Sequence, residues 1–137
     1  MKKDIPQPKV EELAVAIVPR EDAPTNPEED LWDVWIVNLR ADTIKNVMVV
    51  SRGYGKVGEE TRKTSTLRYF MEEITGETAM KIEPIQRTLF ELTNEYWISF
   101  NYNGHMYDKK YVFVKGSIEK KHLTKIPVLD QQGVMIR

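Results

Sequence analysis

One β-hairpin constrains the fold of this chain more than any other feature, and it lies between Asn94 and Val114. Its sequence is NEYWISFNYNGHMYDKKYVFV, in which Asn103-Gly104 separates two arms of alternating side chains. Both turn residues tolerate the positive φ that a two-residue type I′ turn requires. We expect one face of the hairpin to build the core, with Tyr96, Ile98, Phe100, Val112 and Val114. We expect the second arm to reach solvent with Tyr107, Lys109 and Lys110.

Further strands are indicated by short runs of β-branched and aromatic residues, which fit a pleated surface. These runs cover residues 13–18, 31–39, 44–55, 78–85 and 124–129. The run 31–39 is apolar on both faces, which is typical of a central strand covered on both sides. We expect it to pair with 44–55, as a hairpin or across a short corner. Residues 117–123 predict a single helical turn.

The segment from Thr64 to Ile74 fits two structures. Leu67, Phe70, Met71 and Ile74 follow helical spacing, with Thr64 or Ser65 as a cap and Gly76 as a stop. The alternation of Ser65, Leu67, Tyr69 and Met71 fits a strand equally well. Both alternatives stay open from the sequence.

About seven strands with short turns and at most one short helix predict a mainly β protein. We expect a single-domain antiparallel β-sandwich of the immunoglobulin-like type, with a small open barrel as the alternative. The domain covers residues 11–137. Residues 1–10, with two prolines and mostly polar neighbours, predict a flexible N-terminal arm.

The overall charge and composition indicate a globular protein without a general affinity for polyanions. The 137 residues carry 20 Lys and Arg against 21 Asp and Glu, a formal net charge of −1, and no cysteine. Near-neutral charge gives no global attraction to nucleic acid or anionic membranes. No apolar run reaches the length of a signal peptide or a membrane span, so we expect a cytoplasmic protein without membrane contact. A chain that had lost its signal peptide would look the same.

The residue types that usually carry catalysis are scarce or badly spaced. His105 lies beside the hairpin turn and His122 in a polar segment, and neither has a second histidine at ligand spacing. Adjacent carboxylates such as Glu72 and Glu73 point to opposite faces of a strand. The glycine-rich stretch 53–58 is followed by charged residues rather than by a helix that would bind phosphate. We therefore expect no catalytic, cofactor-binding or metal-binding residues and no enzymatic activity.

A set of basic and aromatic residues forms the candidate binding surface. Aromatic rings can stack on bases or pack against a partner protein, while cations follow phosphates or acidic side chains. The same pattern also fits half-buried cross-strand pairs with lysines that keep an edge strand soluble. The candidate residues are Arg52, Tyr54, Lys63, Arg68, Tyr107, Lys109 and Lys110.

Several stretches resemble a family of short bacterial chains catalogued as phenylalanyl-tRNA synthetase beta subunits. They are LWDVWIVNLR, VVSRGYG, KTSTLRYF, EYWISF and YDKKYVFV, and the likeness runs from about Leu31 to Val128. The resemblance implies a compact β-rich domain comparable to one module of the synthetase beta chain, which supplies editing and RNA-contacting modules. It carries over no catalytic residue, because the chain has no ATP-binding signature.

These observations lead to a hypothesis and two alternatives. We expect a noncatalytic interaction module that binds a protein partner or self-associates, aided by exposed strand edges to which another chain can add backbone hydrogen bonds. The first alternative is a tRNA- or RNA-binding protein. The second is a hydrolase or ligase of unassigned type, which would need a deep pocket with converging polar groups.

Overall fold

The computed structural model describes residues 10–21 and 24–137, so the predicted flexible arm, except for Val10, lies outside the described residues. Within these ranges the chain is mainly β, as predicted, and contains ten strands and two short 3₁₀ helices. None of the helices in this part of the chain has the length and apolarity to cross a membrane. The strands are β1 (Leu13–Pro19), β2 (Leu31–Asn38), β3 (Ile44–Val57), β4 (Glu60–Lys63), β5 (Leu67–Ile74), β6 (Thr78–Gln86), β7 (Thr93–Tyr102), β8 (His105–Phe113), β9 (Thr124–Ile126) and β10 (Gln131–Ile136). The helices are Arg87–Glu91 and Lys120–His122.

The strands form two antiparallel sheets. The first sheet has the order β6-β2-β1-β10-β9. In the second sheet the order is β4-β3-β7-β8, and β5 also pairs with β3. β4 and β5 both run antiparallel to β3, along different parts of its length, and residues 64–66 separate them. The two strands therefore act as one interrupted edge strand.

Three sequence expectations change at this level. Residues 67–74 form a strand, which settles the ambiguity between strand and helix. β2 and β3 do not pair, because the chain crosses from the first sheet to the second between them. The expected hairpin between them is therefore wrong, whereas the expected short corner is present as residues 39–43. β4 and β10 are additional strands that the sequence analysis did not identify, so the described residues hold ten strands rather than about seven.

The inner faces of the two sheets share one core. Strands β1 to β3, β5 to β8 and β10 each contribute buried apolar side chains to this core. The prediction of a central β2 is confirmed, since it lies between β6 and β1 and buries side chains on both faces. The largest fully buried side chains are Trp32, Tyr111, Phe113, Leu13, Ile17 and Ile36.

The register of the hairpin corrects the predicted core. Its two-residue turn pairs Tyr102 with His105, so Tyr96 lies opposite Tyr111 and Asn94 opposite Phe113. Tyr111 and Phe113 are both fully buried, whereas Val114 is 57% exposed. Val112, next to Phe113 on the strand, points to the opposite face. Val112 and Val114 are therefore not core residues.

Tyr111 connects the two sheets through a buried hydrogen bond. Its hydroxyl on β8 donates to the Leu13 carbonyl oxygen on β1 at 2.7 Å. Burial raises the pKa of the Tyr111 phenol far above its ordinary value, so the hydroxyl keeps its proton. The proton that this bond between the sheets requires is therefore present throughout the physiological pH range.

Replacing Tyr111 by phenylalanine is expected to lower the free energy of unfolding by about 1.5 kcal/mol, because a buried carbonyl loses its partner. Urea unfolding measures the change. Tyr107→Phe is the matched control, since the Tyr107 ring is stacked on Phe100 and we expect a change within about 0.5 kcal/mol there. Equal losses in the two variants would contradict the assigned role of Tyr111.

Candidate interaction surface

The solvent-facing side of the second sheet gathers most of the candidate residues, and we call it the outer face. In a strand, alternate side chains share a face, and residues directly opposite on neighbouring strands share it too. One row across the sheet is therefore Phe70, Met48, Ser99 and Asp108. The next row is Arg68, Val50, Trp97 and Lys110. Arg52, Glu95 and Val112 follow, and Tyr54 with Lys63 lies beyond them.

The centre of the outer face is apolar and open to solvent. Phe70 is 62% exposed, Trp97 is 47% exposed and Met48 is 45% exposed. Val50 is half-buried between them on β3. These four side chains come from three neighbouring strands and form one contiguous patch, which is the kind of surface that marks an interaction site.

A buried carboxylate organises the cations beside this patch. Glu95 is only 5% exposed, although it points outward. Its Oε2 lies 2.6 Å from Arg52 Nε, its Oε1 accepts from the Tyr54 hydroxyl at 3.4 Å, and Lys110 Nζ is 3.6 Å from Oε1. These side chains shield Glu95 from water and are in turn held in place. Charge-assisted hydrogen bonds of this kind are stronger than neutral ones.

Two of these cations also contact aromatic rings on the outer face. The Arg52 guanidinium carbon lies 5.6 Å from the centroid of Tyr54, and Lys110 Nζ lies 5.1 Å from the centroid of Trp97. Both distances are within the range of cation–π attraction. By contrast, Arg68 and Lys63 take part in no ion pair within the described residues. The outer face thus contains two cations that are paired with Glu95 and two that have no ion-pair partner within the described residues.

The structure brings five of the seven predicted surface residues together and separates two. The outer face holds Arg52, Tyr54, Lys63, Arg68 and Lys110.

Tyr107 and Lys109 lie on the inner side of β8, which corrects their assignment to the candidate surface. Tyr107 stacks on Phe100 with ring centroids 5.3 Å apart. Lys109 Nζ donates to the Val10 carbonyl oxygen at 3.2 Å and lies over the Tyr111 ring. The reason is the register, because the two-residue turn pairs Tyr107 with Phe100 and Lys109 with Ile98, both of which face inward.

Four important members of the outer face were not predicted from the sequence: Met48, Phe70, Glu95 and Trp97. Counting outward from the Asn103-Gly104 turn would have placed Trp97 opposite Lys110 and therefore on the same face. Nothing comparable identifies Met48 and Phe70, because their pairing depends on how β5 returns along β3.

The fold and this surface define a two-sheet β protein with an exposed aromatic and cationic face. No protein-family model matches the sequence, and no curated protein matches it either.

Proposed function

We propose that this chain is a noncatalytic, cytoplasmic, immunoglobulin-like β-sandwich module that associates with a second copy of itself through the outer face. The observation that carries the proposal is the contiguous patch of Met48, Val50, Phe70 and Trp97, three of which are at least 45% exposed. Exposed apolar side chains cost free energy in water, and a second protein surface removes them from it.

The outer face is a better docking site than the free edge of β8. That edge carries Asp108, Lys109 and Lys110 in succession. Charged side chains along an edge strand oppose the addition of another strand. Association through side chains of the face, rather than through backbone hydrogen bonds of the edge, fits this distribution of charge.

The order of side chains on the outer face is complementary to itself under a two-fold rotation. Consider an axis between two facing copies, perpendicular to the strands and midway between the Phe70 row and the Arg68 row. It places Asp108 opposite Lys110 of the second copy and Met48 opposite Val50 of the second copy. Such an isologous contact forms every pair twice. The same arrangement therefore forms the ion pair between Asp108 and Lys110 and the apolar contact between Met48 and Val50.

A cation–aromatic contact follows from the same rotation. Phe70 of one copy comes to lie opposite Arg68 of the other, and Arg68 makes no ion pair within the described part of its own chain. Arginine over an exposed aromatic ring is attractive and becomes stronger as water is excluded. Aromatic residues and arginine are also the types enriched in the energetic centres of protein interfaces.

Sedimentation equilibrium of the full chain tests the proposal. We expect a reversible monomer–dimer equilibrium, with the dimer fraction rising with protein concentration. A chain that stays strictly monomeric up to the highest concentration reached would contradict it.

RNA binding is the second candidate, and the convergence of Arg52, Lys63, Arg68 and Lys110 beside Trp97 favours it. Bases stack on exposed aromatic rings, and phosphates attract unpaired cations.

If the outer face binds RNA, filter binding at low salt should retain a single-stranded RNA, and retention should fall steeply with added salt. Lys63→Ala and Arg68→Ala should each weaken it, whereas Lys109→Ala, on the inner side of β8, should not. Absence of retention at low salt would remove this candidate.

A further inference from the structure

A pocket of about 190 Å³ lies between the two sheets, on the side away from the outer face. It opens where the edge strand is interrupted, since exposed Ser65 and Leu67 are part of its rim. The volume equals that of about six waters at ~30 Å³ each. The polar side chains of the lining are those of Ser51, Arg52, Thr64, Ser65, Glu83, Asn94 and Tyr96.

Glu83 is directed into this space by an irregularity in β6. Val34 pairs with Glu83 but Trp35 pairs with Lys81, so Ile82 is an extra residue in β6. A bulge of this kind re-aims the neighbouring side chain. Because Val34 faces the core, Glu83 opposite it points inward as well. The sequence therefore places an acidic side chain on the apolar side of the sheet.

The carboxyl group of Glu83 is poorly compensated by the protein. Its Oε1 is buried and has no hydrogen-bond partner within the described residues. Burial raises the pKa of Glu83, and the Ser51 hydroxyl partly opposes that shift. Arg52 also lines the pocket, but its guanidinium is bound to Glu95 on the outer face. No described ion pair includes Glu83.

A second acceptor lines the pocket in a fixed orientation. The side-chain nitrogen of Asn94 donates to the carbonyl oxygens of Leu89 at 2.9 Å and Leu92 at 3.2 Å. These two bonds identify the nitrogen, so the amide oxygen must point the other way. That oxygen faces Gly53, where an added Cβ would lie 3.0 Å from it.

Two tyrosines complete the surroundings of Glu83. Burial, followed by the charge of Glu83, raises the pKa of both Tyr69 and Tyr96 above the ordinary value. Both phenols therefore stay neutral at physiological pH. Apart from Arg52, whose guanidinium is bound to Glu95, the polar groups that share the pocket with Glu83 are hydroxyls and an amide oxygen, beside the ring of Tyr96.

The geometry points to a binding site for a small primary ammonium ion of the alkylamine class. An ammonium group has three donors and no acceptor, and it matches a wall of a carboxylate, an amide oxygen and hydroxyls. Aromatic rings add cation–π attraction. The positive charge supplies the compensation that Glu83 lacks, while an anion would be repelled. This inference does not depend on self-association, because the pocket and the outer face lie on opposite sides of the second sheet.

Propylammonium is the probe, and 1-propanol is the neutral control of similar size. We expect propylammonium to bind at least about tenfold more tightly than 1-propanol, a ratio that corresponds to one pKa unit of preference for the ionised carboxylate. Its affinity should rise with pH as Glu83 loses its proton. By linkage, saturating propylammonium should lower the pKa of Glu83, read from the side-chain carboxyl carbon signal by NMR. Equal affinity for the two compounds, or no binding by either, would overturn the proposal.

Two substitutions test separately the charge of the Glu83 carboxylate and the shape of the pocket: Glu83→Gln and Gly53→Ala. Glu83→Gln should lose at least about tenfold in propylammonium affinity and become insensitive to pH. Gly53→Ala adds a methyl group against Asn94 and Thr64, and it should weaken binding while the pH dependence persists. Glu91→Gln, whose carboxylate is exposed and outside the pocket, is the matched control. Unchanged binding in Glu83→Gln would show that the carboxylate does not hold the ligand.

The stability of Glu83→Gln gives a second readout. The folded chain holds the Glu83 proton more tightly than the unfolded chain, because the pKa is raised. Wild-type stability should therefore fall as the pH rises from the unfolded pKa through the folded one, and the glutamine variant should lack that fall. If the variant shows the same pH dependence as wild type, Glu83 is not the buried carboxylate that the pocket requires.

Discussion

Replacing Met48 by aspartate is expected to raise the dissociation constant of the proposed dimer about a thousandfold. Met48 lies at the centre of the outer face. In the proposed dimer it is opposite Val50 of the second copy, so an aspartate there would place a charge against an apolar side chain in the centre of the interface. A central interface residue typically contributes ~2 kcal/mol, and the two-fold symmetry introduces the change twice. The resulting ~4 kcal/mol corresponds to the expected loss of affinity. Sedimentation equilibrium measures it.

Val128→Asp is the matched control for this experiment. Val128 is 46% exposed, almost the same as the 45% of Met48, but it lies outside the second sheet. The control introduces the same charge at an equally exposed apolar position, so it should leave the dimer intact. If both variants dissociate the dimer, or neither does, the outer face is not the interface.

Replacing Asn38 by alanine is expected to lower the free energy of unfolding by about 3 kcal/mol. Asn38 is fully buried where the chain leaves β2 for β3. Its Nδ2 donates to the carbonyl oxygens of Asp42 at 2.9 Å, Ile74 at 3.2 Å and Thr75 at 3.3 Å, and its Oδ1 accepts from the Arg40 amide at 3.0 Å. Alanine would leave these groups without partners. Urea unfolding again provides the measurement.

Asn101→Ala serves as the control for the Asn38 experiment. Asn101 is half-buried near the end of β7, and we expect a change within about 0.5 kcal/mol for its removal. A loss of less than about 1 kcal/mol in Asn38→Ala would mean that water replaces the amide at the corner. Gly76 lies so close to the Ala41 backbone that an added Cβ would collide with it. This tight packing supports a rigid corner.

The hairpin shows what local sequence determines and how far that reaches. Asn103-Gly104 predicts the turn, and the turn has the expected positive φ at both residues, 51° at Asn103 and 78° at Gly104. The same turn fixes which residues pair, so the faces of the second arm follow from it. The alternation of side chains alone led to the expectation that Val112 and Val114 are core residues. With the register included, Tyr111 and Phe113 take these places in the core. Counting residue pairs outward from the turn would have given the correct core residues without any tertiary information.

Other elements depend on contacts that no local pattern contains. β10 begins with Gln131, Gln132 and Gly133, which give no strand pattern, and only its second half, Val134 to Ile136, pairs with β1 at the opposite end of the chain. Gly133 is needed there, since a Cβ would lie 2.8 Å from the Ile17 carbonyl oxygen. Residues 67–74 fit a helix as well as a strand, and pairing with β3 decides between them. The separation of β2 from β3 likewise follows from the Asn38 corner.

The candidate surface was partly predictable for the same reason. Arg52 and Tyr54 share a strand, and Lys63 lies just beyond the following turn, so their proximity follows from short-range pairing. Phe70 and Met48 meet Trp97 only because β3 pairs with β5 on one side and β7 on the other. The inward position of Glu83 depends on a bulge in β6 that the run TAMKIEPI does not reveal.

The most direct test of the outer face as the dimer interface uses the three tryptophan indole N–H signals in NMR spectra recorded from dilute to concentrated protein. Trp97 lies on the outer face, Trp32 lies in the core, and Trp35 lies over Lys81 on the first sheet. We expect the Trp97 signal to shift progressively with concentration while those of Trp32 and Trp35 stay in place. A shift of Trp35 with Trp97 unchanged, or no shift of any of them, would contradict it.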